Sequence, residues 1–554
     1  MLLGRRSLIK SAGAFAVGRL PVASRAAVED SSLIASSSAA VTETVCGKVR
    51  GFIHRGVYTF RGIPYGAPTG GERRFMPPLK PAPWKGARSS LTYGYVSHQE
   101  PRTIWDKDEV AFVYQWDDGF QHDDCLRVNV WTSGLDGRKR PVMVWLHGGG
   151  FSTGSGHEMR TYDGENLARR GDVVVVSLNH RVGAVGFLNL AAAGGEKYAA
   201  SGNVGLLDIV AALEWVRDNI CNFGGDPDNV TLFGQSGGGG KITALMAMPR
   251  AAGLFHRAIV QSGSMLRMPG PELTGKLAAA VLKELSISKT NLDQIHTVPA
   301  DRIVAAGTVA AKAVFPTPDY SKPFDFERHA ELLPWAPTVD GVILPESPFC
   351  ERGPAVSAKV PLLVGTTRTE IGVGWDWSDF EEFTEDELRE AISKAYGRHA
   401  TPRVLETLHR GHPAAKPCDL FAIWQSSGFR RAALRQASAK AAQGTAAAYV
   451  YLFAWNTPVL DGRVRSYHCA ELPFVFDNTD RCDAATGGGS SARALAASVS
   501  DAWINFARKG DPNHAGLPNW PPFAPEKQAT MVFDNTCGAV YDLDREELGL
   551  LATL

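Results

Sequence analysis

The chain has 554 residues, 44% of them hydrophobic and 21% charged, which is ample material for a large core. Lys plus Arg total 58 and Asp plus Glu total 58, so the formal net charge is zero and no basic surface for a nucleic acid is indicated. No apolar run approaches the roughly 20 residues that a membrane-spanning helix needs.

The first feature in chain order is an address. Arg5 and Arg6 are followed by Ser7, Leu8, Ile9 and Lys10, which resembles the twin-arginine export signal of bacteria. A short apolar stretch runs from Ala12 to Gly18, and small residues from Ala23 to Ala27 offer a cleavage site. Arg19 interrupts that pattern. The expectation is a signal and disordered leader over residues 1–40, followed by a single domain over residues 41–554. Such a leader places the protein in the periplasm or the medium; if it is only a basic tail, the protein stays in the cytoplasm. The eight cysteines (Cys46, Cys125, Cys221, Cys350, Cys418, Cys469, Cys482 and Cys537) show no Cys-x-x-Cys spacing. They are read mostly as buried small hydrophobes, and no metal site is implied.

Several short runs are apolar without alternation: Val142 to Leu146, Val173 to Leu178, Val230 to Phe233, Ala258 to Val260, Pro361 to Val364 and Ala448 to Phe453. They suit strands buried on both faces of a parallel sheet. Between two of them, Leu206, Ile209, Val210, Leu213, Val216 and Ile220 recur at helical spacing, and Phe223 to Pro227 stops the helix. Strands alternating with helices predict an α/β fold. Residues 381–390 are expected to form an exposed helix and residues 486–491 a surface loop.

The run Val230 to Phe233 leads into Gly234-Gln235-Ser236-Gly237-Gly238, which fits G-x-S-x-G, a strand-to-helix turn that presents a serine hydroxyl. A phosphate-binding loop is the rival, since Gly240-Lys241 ends the run. That pattern requires Gly where Gln235 stands and Ser or Thr where Ile242 stands, so it fails. Upstream, the strand Val142 to Leu146 ends in His147-Gly148-Gly149-Gly150-Phe151. Consecutive glycines let backbone N–H groups approach a substrate oxygen, and each such donor is worth roughly 3 kcal/mol to an oxyanion.

With these motifs the chain resembles the type-B carboxylesterases, the family that includes the cholinesterases, from about Gly47 to Phe533. Phe60 to Tyr65, Asp123 to Val130, Asn203 to Gly240 and Asp501 to Pro512 carry the likeness. The resemblance implies an α/β-hydrolase fold, a mostly parallel central sheet covered by helices on both faces. It implies a serine carboxylester hydrolase acting on small esters through an acyl-enzyme, without cofactor or metal. The oligomeric state is left open. The implied triad is Ser236, Glu370 and His468, with the N–H groups of Gly149, Gly150 and Gly237 as oxyanion donors. Asp340, in Thr338-Val339-Asp340-Gly341, is a rival acid that the resemblance makes structural. His399, His409, His412 and His514 follow Ser236 and Glu370 in the chain but lack a matching motif. His147 is expected to support the oxyanion loop. Ion pairs Arg61–Asp123 and Arg181–Asp208 are also implied.

The chain departs from the family at four points. Thr369 and Ile371 stand where Asp and Gly usually flank the acid. Gln235 stands where Glu usually precedes the nucleophile, Gly237 where Ala follows it, and Ser97-His98-Gln99 offers no cysteine at the place where the family's partner of Cys125 stands. The loss of charge at Gln235 argues against a quaternary ammonium substrate. Trp116 is read either as a cation-stacking residue or as a plain pocket aromatic. The alternatives in function are hydrolysis of a carbamate, amide or lactone, and a non-catalytic binding relative; the presence of all three triad residues opposes the latter.

Overall fold

The apolar runs form the middle of one twelve-stranded sheet in a computed structural model that describes residues 32–101, 107–315 and 322–554. The twin-arginine segment and its cleavage region lie outside the described residues. The strands are Leu33–Ile34 (β1), Phe52–His54 (β2), Val57–Pro64 (β3), Arg127–Thr132 (β4), Arg140–Leu146 (β5), Val174–Leu178 (β6), Gly225–Gln235 (β7), Arg257–Gln261 (β8), Leu362–Thr367 (β9), Ala448–Phe453 (β10), Thr530–Phe533 (β11) and Gly538–Val540 (β12). Their order across the sheet is β1-β2-β3-β4-β6-β5-β7-β8-β9-β10-β11-β12. From β6 through β11 the neighbours are parallel. The outer pairs are antiparallel.

The lack of polar alternation has a plain cause: every residue of β6, β9 and β10 is buried. Val144, Val176 and Leu232 face one core, with Leu206 and Leu213 of the helix Val204–Asn219. Their neighbours Met143, Trp145, Val175 and Phe233 face a second core, with Trp503 and Ile504 of the helix Ser490–Lys509. Helices therefore cover both faces of the sheet. Among the described residues no single helix is long and apolar enough to cross a membrane.

The fold begins before residue 41. Leu33 and Ile34 pair with His54 and Ile53, and the Gly51 N–H donates to the Ala40 carbonyl at 2.8 Å. A strand added to a sheet edge needs only main-chain hydrogen bonds, so a Ser- and Ala-rich composition did not forbid it. The segment 381–390 is a short turn followed by the helix Glu385–Tyr396, and residues 490 and 491 already belong to the helix Ser490–Lys509.

Of the two expected ion pairs, one forms. Arg181 and Asp208 are both buried and meet at 2.6 Å, with a second bond from Arg181 Nε at 2.8 Å. Arg61 does not reach Asp123. The β3–β4 ladder is irregular between Phe60 and Ile63, and Arg61 in that bulge pairs with Asp163 at 3.3 Å and lies over the Tyr93 ring. Asp123 instead faces His98 at 3.5 Å and Arg74 at 3.6 Å.

Candidate active site

The end of β7 sets the serine. Ser236 has φ 55° and ψ −124°, a strained conformation for a residue with a side chain. The flanking glycines are sterically required. A Cβ on Gly238 would stand 1.9 Å from the Leu146 carbonyl oxygen, and one on Gly234 would stand 2.7 Å from the same atom. The turn is held by the Ser236 N–H, which donates to the Gln261 carbonyl at 2.8 Å. The helix Gly237–Leu245 starts immediately after it, so the first N–H groups of that helix have no partner within the helix.

The glycine loop after β5 lies directly against this elbow. Gly149 and Gly150 have φ 81° and 61°, and their N–H groups have no protein acceptor among the described residues. A Cβ on Gly237 would stand 2.0 Å from the Gly150 carbonyl oxygen, and one on Gly148 would stand 3.5 Å from the Ser236 Cβ. The loop thus packs against Ser236 and Gly237 through Gly148 and Gly150. His147 stacks on His180 at 4.9 Å. Lys241, the lysine of the excluded phosphate-loop pattern, is fully buried. Its ammonium donates to the carbonyls of His147 and Gly148 at 2.9 and 3.3 Å, fixing the loop to the helix that carries the serine. A lysine inside the apolar run GGGGKITALMAM was the available signal, since a buried ammonium needs acceptors.

Glu370 and His468 also meet. Glu370 follows β9 and its side chain is fully buried. Its Oε1 accepts from the Thr367 N–H at 2.8 Å, and its Oε2 accepts from His468 Nδ1 at 2.5 Å. The His468 carbonyl in turn accepts from the Tyr114 hydroxyl at 2.5 Å. The Ser236 hydroxyl makes no hydrogen bond among the described residues. Catalytic contacts commonly close only when substrate is bound. Instead, the Gln235 side-chain nitrogen lies 3.0 Å from His468 Nε2 and 3.3 Å from Nδ1.

The rival residues are committed elsewhere. Asp340 Oδ1 accepts from the N–H groups of Val342, Ile343 and Leu344 at 2.8–3.1 Å, and its Oδ2 accepts from Asn203 at 3.0 Å, which makes it a turn anchor. His409 contacts Glu385, His412 contacts Glu547, His514 contacts the Ser498 carbonyl, and His399 is exposed. Trp116 stacks on Tyr114 at 4.5 Å and lines a cleft of about 1020 Å³ that none of Ser236, Glu370 and His468 lines.

Two further groups surround the imidazole. Glu471 is buried and accepts from the Gln261 amide at 2.9 Å; burial, then the nearby Glu370 charge, pushes its carboxyl up to about 7. His329 is held down to about 4, first by burial and then by His468. Phe429 meets His468 edge-on at 5.7 Å and stacks on Phe326 at 3.9 Å, and Phe324 packs against His329 at 4.4 Å. His468 therefore stands beside an aromatic wall.

The comparisons with known proteins agree with this architecture. The sequence profile of the carboxylesterase family matches residues 38–547. Para-nitrobenzyl esterase of Bacillus subtilis is 35% identical over 509 residues, spanning 92% of this chain and 97% of that protein. Phenmedipham hydrolase of Pseudarthrobacter oxydans is 31% identical over 526 residues, covering 93% of this chain and 99% of that protein. Among solved structures, an esterase from Clostridium hathewayi that can hydrolyse aliphatic aromatic polyesters superposes with a TM-score of 0.76. It is 35% identical and covers 93% of this chain and 98% of its own. A mostly parallel sheet with helices on both faces, a serine elbow and a match over nearly the whole chain lead to one conclusion: this protein belongs to the carboxylesterase family and is a serine carboxylester hydrolase of the α/β-hydrolase fold.

Proposed function

We propose that Ser236, His468 and Glu370 carry the hydrolysis, with the N–H groups of Gly149, Gly150 and Gly237 holding the oxyanion. The observation that supports this reading most is the Glu370–His468 hydrogen bond at 2.5 Å, on an imidazole whose Nε2 lies 3.0 Å from the side chain of Gln235, the residue before the strained serine. His468 Nε2 takes the Ser236 proton as Oγ attacks the ester carbonyl, and the carbonyl oxygen turns to the glycine N–H groups as it becomes negative. The tetrahedral adduct collapses, His468 protonates the departing alcohol, and an ester of Ser236 remains. A water deprotonated by His468 then releases the acid and restores the hydroxyl. Glu370 holds the Nδ1–H tautomer and offsets the imidazolium charge. The scheme needs neither metal nor organic cofactor.

The wall formed by Phe429, Phe326 and Phe324 favours small esters with an aromatic or hydrophobic group. The relatives named for a nitrobenzyl ester and for aliphatic aromatic polyesters point the same way. The test is a panel of aryl, benzyl and short alkyl esters with matched carbamates, amides and lactones, run with and without a chelator. Aromatic esters are expected to have the highest kcat/KM, with no chelator effect. Preference for another bond, or a rate that the chelator abolishes, contradicts the proposal.

The leader is proposed to direct twin-arginine export. Replacing Arg5 and Arg6 by Lys should retain active enzyme in the bacterial cytoplasm. Unchanged activity outside the cytoplasm contradicts that route.

A further inference from the structure

Building on the triad reading above, we propose that Gln235 is a positioning residue that sets the pH range of hydrolysis. It keeps an uncharged group against the His468 imidazole at a place where a carboxylate would hold the ring protonated.

The geometry defines that place. Gln235 is 1% exposed, and its amide nitrogen is nearly equidistant from the two ring nitrogens, at 3.0 Å from Nε2 and 3.3 Å from Nδ1. A donor in the ring plane, on the lone pair of one nitrogen, would lie much farther from the other. Near-equal distances put the amide over the ring face. The in-plane lone pair of Nε2 is thus left for Ser236, the next residue, while Nδ1 is committed to Glu370. The amide packs the imidazole from above without competing for its proton-accepting site.

The surroundings explain why the charge of this group matters. Glu370 is the carboxylate in the ring plane, on the turn after β9. Glu471 follows on the loop of His468 itself, with its carboxyl pushed up to about 7 by burial and by Glu370. His329 lies on the aromatic side and is held down to about 4, so it is uncharged at neutral pH. Phe429 closes the edge. A further carboxylate over the ring face would be buried with the imidazolium as its only close counter-charge. An opposite charge within about 4–6 Å favours the charged form by roughly 1–3 pH units. The base accepts the serine proton only when neutral, so such a charge would move hydrolysis to higher pH. With Gln235 the enzyme works closer to neutrality.

The experiment compares kcat/KM from pH 5 to 9.5 on one aryl ester for the parent enzyme, Gln235→Glu and Gln235→Met. In the Glu variant the acid limb should move up by about one unit or more, with kcat/KM recovering at the alkaline end. The Met variant is uncharged and of similar length, so its limb should stay at the parent position even if its rate falls. An unmoved or lowered limb in the Glu variant, or a raised limb in the Met variant, overturns the proposal. If the Glu variant does not fold, Gln235→Asp takes its place, with a raised limb expected and an unmoved or lowered limb overturning the proposal. A parent enzyme that hydrolyses no ester would be a failure of the hydrolase reading. An active parent with an unmoved limb in the Glu variant would be a failure of this inference only.

Discussion

Glu370→Gln lowers kcat by at least about a hundredfold while KM and the thermal midpoint stay near those of the parent. The amide keeps the shape of the carboxylate and accepts from the Thr367 N–H as before. It loses the charge that stabilises the imidazolium, and its NH2 group can face His468 Nδ1, which selects the wrong tautomer. The corresponding change in a Ser-His-Asp protease costs about four orders of magnitude. A hundredfold is set as the lower bound because measured losses reflect the whole site and not one bond. Asp340→Asn gives the opposite signature. Asp340 accepts three backbone N–H groups and the Asn203 amide, so its replacement lowers the thermal midpoint and leaves the turnover of folded protein intact. An Asp340 variant that folds normally but loses turnover, beside a Glu370 variant that keeps it, would show that the acid has been misassigned. Ser236 and His468 would survive that result, since they rest on other motifs.

The central strands were legible because a strand buried on both faces leaves a continuous apolar run, as in Val174–Leu178. The elbow was legible because only glycine fits on either side of Ser236 against the Leu146 carbonyl. Glu370 was placed by resemblance, since no local pattern sets it apart from an ordinary surface carboxylate; the bond to His468 then distinguishes it. The Arg61 partner was misjudged because a bulge redirects a side chain without leaving a mark in the sequence. The roles of Lys241, Tyr114 and Gln235 were missed for a related reason. Each acts on an atom far away in the chain: the carbonyls of His147 and Gly148, the carbonyl of His468, and the imidazole ring. Only the folded backbone brings such partners together. Leu33 and Ile34 join the sheet edge through main-chain bonds, which side-chain composition does not record.

The most direct measurement is covalent labelling of the nucleophile. The parent enzyme and Ser236→Ala are treated with a fluorophosphonate, digested, and mapped by mass spectrometry, with ester turnover followed in parallel. Under the proposed assignment, an activated serine on this elbow displaces the fluoride and becomes phosphonylated, because donors that hold the oxyanion in ester hydrolysis stabilise the same kind of negative oxygen here. The expected result is one adduct on the peptide carrying Ser236, loss of turnover in proportion to labelling, and no adduct at that peptide in the Ala variant. That variant should also lose turnover by about four orders of magnitude or more, as nucleophile removal does in other serine hydrolases. An adduct on another residue with turnover abolished, or an Ala variant that still hydrolyses esters at the parent rate, would contradict the assignment of Ser236.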